Sequence, residues 1–317
     1  MSASRNDLDA PHEAVHLIRC RRGKQPGATR NRSVLPRMSF PDIDPIAFSL
    51  GPLVIRWYAL AYLAGFLGGW LVARRLAGAE SLWGKVPRPS KEQIDDFIVW
   101  IALGVILGGR LGYVLFYDLG AYLGRPHEIL FVWQGGMSFH GGLLGAVIAS
   151  FVFARRNGLI GLSMLDIVAV TAPIGLFFGR IANFINGELW GRPAPDFPFA
   201  VIFPFAGPVP RYPSQLFEAA TQGLVLFIVM LIAVAVLGMR RPGMLAGIFA
   251  IGYAVARVFC EFFREPDPQI GFLMGEWLTM GMLLSLPLAL VGIVAIIAAR
   301  RGLTGPGGPP SAKAGSA

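Results

Sequence analysis

The chain has 317 residues, of which 54% are hydrophobic and only 15% charged. A water-soluble protein of this length rarely has such a composition, so the reading moves to a membrane protein. The formal net charge of +9 does not by itself imply nucleic acid, because the cations gather beside apolar runs, where attraction to anionic lipid accounts for them first.

Residues 1–37 carry eight Lys or Arg against three acids and no apolar stretch of signal-peptide length. Either translation begins at Met38 or these residues are a disordered basic tail. Cys20 lies there without the apolar approach that a lipid-attachment site needs. From Met38 onward seven apolar segments follow, at about 53–73, 96–116, 137–154, 164–186, 215–239, 244–263 and 276–299. Each is long enough to cross a hydrocarbon layer roughly 30 Å thick. Gly104 and Gly108 in the second, and Gly141, Gly142 and Gly145 in the third, let helices approach closely where lipid supplies no hydrophobic push between them. Arg74–Arg75, Arg155–Arg156, Arg240–Arg241 and Arg300–Arg301 close the first, third, fifth and seventh segments, so all four pairs fall on one face. Short basic loops stay on the cytoplasmic side. The reading is therefore an all-α membrane protein, a seven-transmembrane-helix bundle with its N-terminus out and its C-terminus in. Loops at 117–136, 187–214 and 264–275 form a small outer head. The bundle domain spans 38–301, and residues 302–317, rich in Gly, Pro, Ser and Ala, read as a disordered cytoplasmic tail.

Polar residues inside these apolar segments carry the functional information. In the second segment Arg110 lies near the outer end and reads as an anchor, or as one half of a pair with an acid from another helix. His140 opens the third segment between two glycine pairs. It is either a satisfied polar core residue or an accessible imidazole able to take up and return a proton. The fourth segment ends in Arg180, with Asn183 on the same face and Asn186 and Glu188 beyond, followed by the glycine-bounded stretch Gly187–Gly191. An arginine at a helix end is often a snorkelling anchor, but this company of amides and a carboxylate favours a ligand-handling cluster. In the sixth segment Tyr253, Arg257, Glu261 and Arg264 are spaced four, four and three apart, which places them on one helical face. An ionised group at bilayer depth costs at least about 2.5–3.5 kcal/mol, so such groups face a cavity or a partner. The bland alternative is an Arg257–Glu261 pair with Arg264 snorkelling to the outer headgroups. The sequence holds no paired His/Cys spacing for a metal and no phosphate-binding glycine loop.

The stretch GRIANFINGELWG (Gly179–Gly191) closely resembles the signature of bacterial prolipoprotein diacylglyceryl transferases. GGMSFHGG and YAVARVFCEFFRE look like the other two blocks of that family, and the resemblance runs from about Phe40 to Arg300. It implies a seven-helix inner-membrane enzyme with its active site toward the periplasm. Such an enzyme moves the diacylglyceryl group of phosphatidylglycerol to the lipobox cysteine of a prolipoprotein, without metal or cofactor. It implies that Arg180 and Arg257 handle the phosphatidylglycerol headgroup, that His140 is a candidate base, and that Tyr58 of the WYAL motif matters. Asn183, Glu188, Gly191, Tyr253, Glu261 and Arg264 join them. One departure is Tyr212, where enterobacterial members have a histidine after a longer outer insert. Two other functions fit parts of the pattern: a transporter lined by the sixth-helix stripe, though no internal repeat is visible, and an acyltransferase using Cys260 as nucleophile and His140 as base.

Overall fold

The computed structural model describes residues 38–305 apart from 42, 52 and 267–270. The N-terminal segment 1–37 and all of the C-terminal tail beyond residue 305 lie outside the described residues. Helices account for most of the structure: α1 (Trp57–Gly78), α2 (Lys91–Phe116), the short α3 (Leu119–Gly124), α4 (Phe139–Arg156) and α5 (Gly161–Ile185). The remaining helices are α6 (Ser214–Glu218), α7 (Leu226–Leu237), α8 (Met244–Glu261) and α9 (Met280–Arg300), with a π-helical stretch, Ala219–Val225, joining α6 to α7. Strand pairs are minor: β1 (Met38–Ser39) runs parallel to β4 (Val201–Ile202), and β2 (Ile46–Leu50) pairs antiparallel with β3 (Leu53–Arg56). A last hairpin joins β5 (Phe272–Met274) to β6 (Leu278–Thr279).

Among the described residues, five helical segments are long and apolar enough to cross a membrane: α2, α5, the run Ser214–Leu237, α8 and α9. The chain is thus a mostly helical, multi-pass membrane protein. α1 and α4, 22 and 18 residues long, coincide with the other two predicted spans but are less apolar, because α1 carries Arg74 and Arg75 near its end and α4 carries Arg155 and Arg156 in its last turn. The helices differ from the sequence reading at several points: α2 begins at Lys91 rather than near 96, and α9 at Met280 rather than near 276. The first helix starts at Trp57 rather than near 53 because Leu53–Arg56 is committed to the β2–β3 hairpin. The fifth span is no single regular helix, since a π-turn interrupts it directly after Glu218.

Start signals in the sequence are used as capping chemistry predicts. Ser90 Oγ accepts from Gln93 N while Gln93 Oε1 accepts from Ser90 N, a reciprocal box that opens α2. Ser138 and Thr279 cap α4 and α9. α8 follows Gly243, at φ +86°, and has no capping side chain of its own. Its free N–H groups donate instead to the buried Asp166 carboxylate of α5, from Gly243 at 2.8 Å and Ala246 at 2.7 Å.

α1 packs along α5, α8 along α9, and α2 along α4. The α2–α4 seam is built from the glycines singled out in the sequence. A Cβ on Gly104 would meet the Gly145 carbonyl oxygen at 2.6 Å, and one on Gly108 would meet Gly145 Cα at 2.8 Å. Gly145→Ala is therefore expected to lower the unfolding midpoint in detergent, since overpacking a tight seam costs about 1–3 kcal/mol; an unchanged midpoint would show that the seam yields freely.

The arginine pairs mark one end of the bundle. Arg74 at the end of α1 pairs with Asp95 near the start of α2, Arg156 lies over the Trp100 ring, and Met239 N donates to Leu82 O beside Arg240. A buried apolar cluster with Trp83, Ile94, Phe97, Phe153, Met164 and Leu245 sits toward this end. The opposite end holds the polar residues.

Candidate functional site

Four elements bring the polar groups together. Arg180 lies in the last two turns of α5, Arg257 and Glu261 in the last two turns of α8, and Arg264 just past its end. All three arginines converge on the carboxylate of Glu218, the last residue of α6. Arg180 Nε reaches Oε2 at 2.9 Å, Arg257 Nη1 reaches Oε1 at 2.8 Å and Arg264 Nη1 reaches the same oxygen at 3.3 Å. Glu218 is fully buried, and the three guanidinium side chains are 11–18% exposed. Arg257 pairs in addition with Glu261 one turn on. Arg264 therefore turns inward rather than snorkelling outward, and Arg257 is shared between two acids rather than neutralised by one.

A hydrogen-bonded amide extends the cluster toward α1. Asn183 Oδ1 accepts from Arg180 Nη1 at 3.3 Å, while its Nδ2 donates to Tyr58 Oη at 3.1 Å and to Glu188 Oε1 at 2.9 Å. The 179–191 stretch thus folds back on itself. Its turn is fixed by the following motif Pro213–Leu216: Gln215 Nε2 donates to Glu188 O at 2.6 Å and Ser214 Oγ to Leu189 O at 3.1 Å. Between those two bonded carbonyls Leu189 is held at φ +58°, a left-handed conformation that a leucine adopts only when its surroundings impose it.

Other singled-out residues have different surroundings. Gly191 lies where three backbone segments meet: a Cβ there would come within 2.5 Å of both the Phe263 and Tyr212 carbonyl oxygens. Its N–H donates to Tyr212 O at 3.0 Å and its carbonyl accepts from Arg211 Nη1 at 3.1 Å. Tyr253 stacks on Phe249 and has no polar contact with the cluster among the described residues. His140 stands exposed in the first turn of α4, its ring edge-on to Phe139, with no side-chain hydrogen bond among the described residues. Cys260 is fully buried, with its thiol 3.2 Å from Thr221 Oγ1. Tyr212 joins an aromatic group with Phe197, Phe217 and Phe263, giving the outer loop an apolar centre.

Arg110 is neither a snorkelling anchor nor an acid's partner. It is buried, donating to the backbone carbonyls of Glu128, Ile129 and Gly135 at 2.6, 2.9 and 2.6 Å, under the Tyr122 ring. One guanidinium thus winds the 117–136 loop around itself.

Two contributors escaped the sequence reading. Glu218 opens an apolar run, where an acid passes for an ordinary favourable charge at a helix start. The available signal was the need of three intramembrane arginines for a counter-charge. Arg192 was overlooked too; it donates to Glu261 O and Arg264 O, both at 2.9 Å, and so closes the C-terminus of the helix that presents Arg257.

Arg180, Arg257 and Arg264 stand against Glu218 and Glu261 in a largely desolvated pocket, with Glu188 joined through Asn183. A small cavity bordered by Arg257, Glu261, Arg264 and Gly281 opens beside it. Planar guanidiniums held in this way suit an anion with several acceptor oxygens.

The same blocks of sequence recur in known proteins. The model of the prolipoprotein diacylglyceryl transferase family matches residues 45–298. A protein of Rhizobium leguminosarum bv. trifolii, named phosphatidylglycerol–prolipoprotein diacylglyceryl transferase, is 60% identical over 274 residues, covering 85% of this chain and 96% of its own length. Proteins of the same name from Agrobacterium fabrum and Methylocella silvestris are 57% and 56% identical, each across 83% of this chain and 94% and 96% of their own. With this coverage added to the convergent arginines of the Gly179–Gly191 and Tyr253–Arg264 blocks, the chain belongs to the prolipoprotein diacylglyceryl transferase family.

Proposed function

We propose that this protein transfers the diacylglyceryl group of phosphatidylglycerol to the thiol of the lipobox cysteine of prolipoproteins, the first step of bacterial lipoprotein maturation. The observation that carries the reading is the meeting of Arg180 and Arg257, from separate helices, on the single buried carboxylate of Glu218. Two planar guanidiniums held side by side can grip the oxygens of a phosphodiester.

In the reaction the thiolate sulfur attacks the glyceryl carbon bonded to the phosphate oxygen. That carbon–oxygen bond breaks with its electron pair passing to the phosphate, so a thioether forms and glycerol phosphate leaves. The donor enters as a monoanion and departs as a dianion. Arg180 and Arg257 hold the phosphate and stabilise the charge that grows on it, the largest kind of catalytic contribution a preorganised site makes. Arg264 and Glu261 orient Arg257, Asn183 and Glu188 orient Arg180, and Tyr58 closes the α1 side. Tyr253 is assigned to the wall that faces the donor lipid, and Gly191 to the close backbone packing that seats Arg264. A thiol with a pKa near 8.5 is mostly protonated at neutral pH, and His140, exposed at the mouth of α4, is the proposed base.

The bundle is read as seven spans in the bacterial inner membrane, N-terminus out and C-terminus in, with the site toward the periplasm. Supporting this, the basic pairs gather at the end of the bundle away from the Glu218 cluster, as the bias of cytoplasmic loops toward Lys and Arg requires.

The test is transfer of labelled phosphatidylglycerol to a lipobox peptide by purified protein in detergent, where a transporter has no second compartment and gives no product. Absence of transfer by well-folded protein overturns the reading. In that assay His140→Ala is expected to lose about 10²-fold or more at pH 7 and to recover above the thiol's own pKa, where no base is needed. A full rate at neutral pH would move proton removal to the field of the arginines. Cys260→Ala is expected to keep wild-type activity, because a fully buried thiol cannot reach a lipid; loss of all turnover with retained folding would revive an acyl-enzyme.

A further inference from the structure

At the arginine end, far from the Glu218 cluster, the last turns of α1 and the first residue of α2 enclose an open groove of about 490 Å³. Its lining includes Trp70, Leu71, Arg74, Arg75, Gly78 and Lys91. The polar side of the groove is organised. Asp95 accepts from Trp70 Nε1 at 2.6 Å and from Arg74 Nη1 at 2.9 and 2.6 Å, and the Arg74 guanidinium lies 5.2 Å from the Trp70 ring centre. Arg74 is thereby fixed in place. Arg75 and Lys91, both exposed, make no ion pair or side-chain hydrogen bond among the described residues. The Lys91 stem lies over Gly78, where a Cβ would sit 3.0 Å from Lys91 Cε, so the missing side chain brings the ammonium across to α1. Glu92 lies within electrostatic reach of Arg74. Three cations against Asp95 and Glu92 leave one positive charge.

The groove continues into an apolar track. Leu63, Leu67 and Leu71 are 54%, 48% and 47% exposed and precede Arg75 at intervals of four residues, so they run down one face of α1 beneath its guanidinium. A cationic head above a leucine stripe matches the shape and charge of one phospholipid with an anionic headgroup, its phosphate at Arg75 and Lys91 and an acyl chain along the stripe. Basic pockets between membrane helices on the cytoplasmic side recognise such headgroups. Trp70, beside Arg74, is of the residue type that concentrates at bilayer headgroup level.

We propose that this groove is a second lipid site, separate from the transfer site, which holds one anionic phospholipid of the leaflet facing the arginine end. The inference rests on that end lying at headgroup level and not on the transfer reaction.

Native mass spectrometry of the full chain in detergent tests it, with phosphatidic acid and phosphatidylcholine of equal acyl length as probes. The wild type is expected to hold one more phosphatidic acid per chain than Arg75→Gln/Lys91→Gln, whose affinity for that lipid falls about tenfold. Phosphatidylcholine is expected not to replace it, and excess inorganic phosphate not to displace it. The double variant is expected to keep wild-type transfer activity and unfolding midpoint, which separates loss of this site from loss of fold or of the catalytic reading. Equal lipid counts and affinities in both proteins, or equal retention of phosphatidylcholine, would overturn the proposal. Displacement by inorganic phosphate would overturn it in favour of a free-phosphate site.

Discussion

Glu218→Gln is expected to lower transfer by at least about 10²-fold and to destabilise the protein by about 3–5 kcal/mol, the range for removing one partner from a buried ion pair. The amide keeps the shape of the side chain but not its charge. Arg180 then loses the acid that it contacts at 2.9 Å, Arg264 loses its contact at 3.3 Å, and Arg257 is left with Glu261 alone. Three mutually repelling guanidiniums at the ends of α5 and α8 no longer have a common point to hold. The measurement is paired: a thermal unfolding midpoint in detergent and initial rates across phosphatidylglycerol concentrations. Glu218→Asp should rescue little, because a side chain one methylene shorter cannot span Arg180 on one oxygen and Arg257 on the other. A Glu218→Gln variant with wild-type midpoint and rate would remove the shared carboxylate from the account of the site.

Arg180→Ala and Arg257→Ala are each expected to reduce kcat by about 10²–10³-fold, the usual loss on deleting one group aimed at developing transition-state charge. The charge appears on the departing glycerol phosphate, so the effect should fall more on kcat than on KM. Lysine at either position should recover only part of the rate, because an ammonium lacks the planar fork that grips two phosphate oxygens. The double alanine variant should lose less than the product of the single losses, since both side chains act through one cluster. Single-turnover rates with labelled lipid read this directly. Near-wild-type kcat in either single variant would mean that the matching guanidinium organises the helix ends and does not touch the donor.

The chemistry of α5 and α8 was legible because it lies in local spacing. Arg257, Glu261 and Arg264 share a face at four- and three-residue intervals, and Arg180 and Asn183 are three apart, which any helix converts into neighbours. The Gly104/Gly108 and Gly141/Gly145 repeats were legible for the same reason, and they do form the α2–α4 seam. Local periodicity could not say what those faces meet. Glu218 joins three arginines that are 38 residues earlier and 39 and 46 residues later in the chain, and no spacing rule links positions so far apart. Arg110 shows the reverse error: its sequence context resembles that of Arg180, yet its guanidinium is consumed by the carbonyls of a loop 18 to 25 residues away. Gly191 likewise matches a family block, but what can be seen of it is a steric need imposed by Tyr212 and Phe263.

Composition and periods of a few residues were enough to locate the apolar helices, the arginine pairs near their ends and the helical faces that carry charge. It took the packing of the helices to bring Arg180, Arg257 and Arg264 onto one buried carboxylate, to tie Glu188 to Tyr58 through Asn183 and to close α8 with Arg192. The reason is electrostatic. A charge buried in an apolar bundle must find its counter-charge in three dimensions, and the partner that satisfies it is set by how the helices pack rather than by what stands next to it in the chain.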